Sequence, residues 1–154
     1  MSVAYTVLER GAFVYARAEG ALKTSDLIEH ERALLADTRI RCQFRHLLDV
    51  RCVKGPDIDR GRLLRGHRCL DDAAHKLSGS RFAVVAHDAW WFDVRFQQEF
   101  EKRGLTLIAF NDPMTACLWL GVDYEQVPTE NGVTPRDRDR NPFQDFDGIQ
   151  GDVP

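Results

Sequence analysis

A chain of 154 residues with a net charge of −3, 44% hydrophobic and 29% charged residues, has the make-up of a soluble globular domain with an appendage. No apolar run approaches the ~20 residues that a membrane helix needs, and the opening MSVAYTVLERG lacks the basic start and apolar core of an export signal. No segment is strongly basic, which argues against a nucleic-acid partner.

The first elements in chain order are two short β-branched and aromatic runs, 5–8 and 13–18. They are split by Glu9-Arg10-Gly11, a hairpin signal. After Gly20, Thr24 stands before Ser25-Asp26 as the N-cap of a helix that runs to about Ala36, with an apolar stripe of Leu27, Ile28, Leu34 and Leu35. FRHLLDVRCV, 44–53, reads as a buried strand. Pro56 and Asp57 mark the next turn. Leu63, Leu70, Ala74 and Leu77 then recur at helical spacing, predicting one helix over 59–78 that ends at Gly79.

The stretch 82–86 is a continuous apolar strand, as expected of a strand covered on both faces. Asp88 caps a helix carrying Phe92, Phe96 and Phe100, and Gly104 closes it. A further apolar strand spans 105–110. Asp112 then serves as N-cap, Pro113 takes the first helical position and Gly121 follows the last turn. The order is β-β-α-β-α-β-α-β-α. The fold class is α/β, a mixed and mostly parallel sheet with an antiparallel opening hairpin.

Residues 125–154 differ in kind from residues 1–124. They hold seven acids and three arginines, a net of −4, which leaves the rest near +1. The segment is rich in Pro, Gly and Asn, has no helical or strand period, and reads as an acidic tail, flexible or docked on a surface through Phe143, Phe146 and Ile149. The four cysteines, Cys42, Cys52, Cys69 and Cys117, form no C-x-x-C pair. They read as reduced thiols in the cytoplasm and as small apolar packers.

Four stretches carry a resemblance: YTVLERGAFVYARAEGALKTSDL, HLLDVRCV, SRFAVVAHDAWWFDVRFQQEF and FNDPMTACLWLG. Over 5–122 the chain resembles the bacterial STAS-like domains, the fold of the anti-sigma-factor antagonists, in the group that includes CRAL-TRIO lipid-binding domains. The resemblance implies a STAS-like fold and a protein-interaction or regulatory role. Antagonists of the sporulation type carry a phosphorylatable serine in an Asp-Ser-Ser-Gly turn after the third strand. That turn falls here on Asp57, Ile58, Asp59 and Arg60. The aspartate is kept and both serines are replaced, so the turn offers no hydroxyl. Asp59 reads either as a helix N-cap, worth ~1 kcal/mol, or as a fixed negative charge in place of a phosphate.

No catalytic constellation emerges. His67 and Cys69 are two apart on a helix and diverge. His67 and His75 are about two turns apart, unlike the i, i+4 pair of a helical zinc site. Cys52 follows a strand and could meet His87 at the same edge of a parallel sheet, but the sequence does not place the two within hydrogen-bond reach and no third partner is evident. No glycine-rich phosphate loop, metal site or cofactor site is expected.

The aromatic run Trp90-Trp91-Phe92 is the main candidate site. Phe92 belongs with Phe96 and Phe100, while steps of ~100° turn the two tryptophans elsewhere. Each Trp can bury ~200 Å², either against its own helix neighbours or against a partner or ligand. Two functional readings stand. One is a non-catalytic interaction module that forms a homodimer or meets another protein. The other is a carrier or sensor of a lipid or other apolar small molecule.

Overall fold

The structure is a computed structural model and describes residues 3–87 and 94–128. Five strands form one sheet in the order β1-β2-β3-β4-β5: Val3–Leu8, Phe13–Gly20, Arg45–Val53, Arg81–Val85 and Thr106–Phe110. Strand β1 pairs antiparallel with β2, and the remaining three pairings are parallel. The helices are α1 (Thr24–Ala36), α2 (Arg60–Gly66), α3 (Ala74–Leu77), α4 (Val94–Lys102) and α5 (Pro113–Leu120). The element order and the mixed sheet are those that the STAS-like resemblance implies.

The strand order decides where the helices go. Right-handed crossovers between parallel neighbours laid down in sequence place every crossover on one face of the sheet. Helices α1 to α4 accordingly cover one face. Alternation along the strands supplies its core, with Val14, Ala16 and Ala18 on β2, Leu48 and Val50 on β3, and Phe82 and Val84 on β4. The intervening residues Phe13, Tyr15, Leu47, Ala83 and Val85 point to the other face. There α5, free to turn over after the last strand, packs against β3, β4 and β5.

The hairpin turn is a 3-10 turn over Glu9–Gly11 in which all three residues are left-handed, with φ of 49°, 54° and 92°. Gly11 carries the largest of these angles without a Cβ penalty, and its carbonyl accepts the Arg41 N–H at 2.9 Å. Helix α5 has the ends that its sequence indicates. Asp112 accepts the backbone N–H groups of Met114 and Thr115 at 3.3 and 3.0 Å, Pro113 is in the first turn, and Gly121 is left-handed at φ 70°.

Two expectations need correction. The single helix over 59–78 is instead α2, a 3-10 stretch over His67–Ala73, and the short α3. The break follows Gly66, where a Cβ would stand 2.6 Å from Ile28 Cδ1. Glycine lets α2 approach α1 closely and weakens the helix at the same point. The cap of α1 is also one residue earlier. Lys23 is the N-cap residue, and its backbone N–H donates to Asp26 Oδ2 at 2.9 Å. Thr24 lies inside the helix, and its hydroxyl serves the loop before α2.

Candidate functional site

The turn at Asp57, Ile58, Asp59 and Arg60 is bound to α1. The Thr24 N–H donates to the Asp57 carbonyl at 3.2 Å, and the Asp59 N–H donates to Thr24 Oγ1 at 2.7 Å. Asp59 Oδ1 accepts the Arg62 N–H at 2.9 Å, the geometry of an N-cap. The carboxylate is thus engaged by its own helix, and Ile58 packs half-buried against the core. Trp90, Trp91 and Phe92 lie outside the described residues.

Three histidines, His30, His46 and His67, are buried on the helical side of the sheet. His30 on α1 and His46 on β3 approach through their Nε2 atoms at 3.1 Å. Only one proton fits between two such nitrogens, so one neutral ring donates and the other accepts. Burial pushes the His30 pKa down to about 4, and burial together with neighbouring His30 pushes that of His46 well below 6.5. His67, at the start of the 3-10 stretch, packs against Phe96 and Phe100 with ring centroids 5.9 and 5.0 Å away. Its Nε2 stands 3.1 Å from Glu31 Oε1, an ion-pair distance. Glu31 Oε2 and His67 Nδ1 are buried without a hydrogen-bond partner.

Glu31, His46 and His67 share the wall of one cavity of about 60 Å³ under the helices. Strand residues Leu48, Val84 and Leu107 form its floor, and Phe96 and Phe100 of α4 face them. These histidines were legible in part. His30 stands three residues after Leu27 and four before Leu34, and His67 four after Leu63 and three before Leu70, so both occupy core positions of apolar stripes. His46 alternates with Leu48 and Val50 on one strand face.

The other face carries a different polar group. Asp49, only 2% exposed, accepts from Arg51 Nε and Nη2 at 2.9 and 2.8 Å, a bidentate pair, and from the Tyr15 hydroxyl at 3.1 Å. Burial, then the adjacent Asp49 carboxylate, pushes the Tyr15 pKa upward. A register shift between β2 and β3 just beyond this point sets Cys52 opposite Glu19. The Arg17 Nη2 reaches Cys52 Sγ at 3.2 Å.

Helix α5 closes this face with an apolar sequence, PMTACLWL. Its inner side is buried, and Trp119 packs on Phe110 and beneath the Arg81 guanidinium. Met114 and Leu118 stand 53% and 77% exposed, four residues apart and so on one side of the helix.

Among the described residues no group of three or more His, Cys, Asp or Glu could hold a metal ion, and no helix is long and apolar enough to cross a membrane. Buried His67 and exposed His75 do not converge. Cys42, Cys52 and Cys117 are free thiols.

No family model matches the sequence, and none of the curated proteins does. Among solved structures, the chain is similar to an uncharacterized protein of the DUF3478 family with a SpoIIAA-like fold from Shewanella loihica PV-4. The identity is 14%, the match covers 77% of this chain and 93% of that one, and the TM-score is 0.45.

Proposed function

We propose that this chain is a non-catalytic protein-interaction or regulatory module of the cytoplasm that associates with a second copy of itself. The observation that carries this reading is the outer side of α5. A helix apolar all round belongs under cover, yet Met114 and Leu118 are solvent-exposed. Pro113–Leu120 holds no charged side chain, so a second copy meeting it about a two-fold axis brings no like charges together. Trp90, Trp91 and Phe92 form a second contact region in this reading, and the turn at Asp57–Arg60 keeps a structural cap in place of a phosphorylated serine. Light scattering across a concentration series tests it. The wild type is expected to reach the mass of a dimer, Leu118→Glu to stay monomeric, and Trp91→Ala to weaken association. A wild type that is monomeric throughout removes the reading.

A second reading rests on the cavity: a carrier or sensor of an apolar small molecule. A volume of about 60 Å³ is well below the ~150 Å³ that accepts benzene. A ligand longer than a few heavy atoms therefore requires α4, with Phe96 and Phe100, to move away from the sheet. Native mass spectrometry of the purified chain checks for a retained ligand.

A further inference from the structure

The buried atoms without hydrogen bonds are not scattered. Among the described residues they are Arg17 Nε, Glu31 Oε2 and the two nitrogens of His67. Arg17 Nε lies 2.8 Å from Glu19 Oε1 and so has an ionic partner. His67 Nε2 has Glu31 Oε1 at 3.1 Å and so is partnered in the same way. The remaining two atoms, Glu31 Oε2 and His67 Nδ1, belong to two side chains on the wall of the same small cavity. Their side chains are 13% and 3% exposed, with apolar residues around them. Leaving a buried polar group unpaired is costly, and native proteins rarely concentrate such groups without a use.

We propose that Glu31 and His67 are the polar recognition pair of the cavity, and that they select a neutral hydroxyl-bearing amphiphile over a carboxylate. The proposal rests on the carrier reading given above and names its ligand class. The free Glu31 oxygen is an acceptor and calls for a donor. An alcohol or phenol hydroxyl gives one hydrogen to Glu31 Oε2 and can bond a His67 nitrogen with its own oxygen. Once α4 moves off the sheet to admit it, the carbon skeleton lies along Leu48, Val84 and Leu107. A carboxylate ligand lacks the donor and sets a like charge against Glu31 in surroundings that screen it poorly. A fatty acid is thereby disfavoured, although its chain would suit the same walls. His46 also lines the cavity, but its Nε2 is engaged by His30. The selection therefore falls to the pair that has no other partner.

The test uses the full chain with 1-octanol and octanoate, which share a chain length and differ in the head group. Binding is read by thermal shift and by tryptophan fluorescence at pH 7.5. The expected result is octanol binding at least ~10-fold tighter than octanoate, with Glu31→Gln reducing that preference several-fold at an unchanged circular dichroism spectrum. Equal or tighter binding of octanoate, or a preference untouched by Glu31→Gln, overturns the proposal while leaving the carrier reading standing. Binding of neither compound removes both, and the cavity then holds only water.

Discussion

The two faces of the sheet treat buried polarity in opposite ways. On the α5 face, Asp49, Arg51 and Tyr15 satisfy one another within a single cluster anchored on β2 and β3. On the face under α1 to α4, His30 and His46 satisfy each other, but Glu31 and His67 do not complete their bonding. The contrast separates polarity that holds the fold from polarity that faces a space. A closed network is costly to break at any one member. An open pair costs little to replace, because its desolvation is already uncompensated.

Breaking the closed network has the largest expected effect. Asp49→Ala removes the carboxylate that Arg51, whose side chain is 10% exposed, holds in a bidentate pair, and is expected to lower unfolding free energy by ~3–5 kcal/mol in urea titration. A loss below ~1 kcal/mol would show that water reaches the site.

Acidification probes the helical face through the histidine pair. Both histidines have pKa values below the ordinary 6.5 in the folded state. The unfolded chain therefore binds more protons as pH falls below 6.5, and stability drops with it. The slope reaches up to ~1.4 kcal/mol per pH unit for each histidine down to about pH 4 for His30. Above pH 7 the pair contributes no pH dependence. Urea midpoints at half-unit steps read this directly, and a flat profile between pH 7 and 5 contradicts the neutral pair.

A smaller effect is expected at the turn. Asp59→Ala removes one N-cap bond and should cost ~1 kcal/mol, with Asp59→Asn nearly neutral. A Glu31→Met, His67→Phe double variant is expected to fall between no change and a gain of ~1 kcal/mol. If it destabilises as strongly as Asp49→Ala, the two faces do not differ in the way described.

What the sequence made legible follows from range. The ends of α5 depend on Asp112, Pro113 and Gly121 acting within a few residues, and they were readable. The alternation of Val14, Ala16 and Ala18 against Phe13 and Tyr15 is equally local. The break after Gly66 depends on Ile28, and the cap of α1 depends on a hydroxyl drawn to Asp57 and Asp59, more than thirty residues away. The cavity pair is of the same kind. Glu31 and His67 meet only once α1 and α2 are packed, so spacing along the chain, which puts His67 on an apolar stripe, gave no sign of their meeting. The aromatic run at 90–92, conspicuous in sequence, is untested by the described residues.

The order β1-β2-β3-β4-β5 also bears on how the chain is made. Each strand pairs with the one synthesised just before it, so no early strand waits with a reserved gap for a late arrival. Loop closures stay short and contact order low for a parallel sheet. During translation the growing edge is always the newest strand, and each crossover helix emerges in time to cover the face just formed. The far face waits for the segment after the fifth strand, which makes α5 the step that completes burial of Tyr15, Leu47 and Val85. Chains arrested before residue 113 should accordingly expose that face to chaperones, while those released after Leu120 should not.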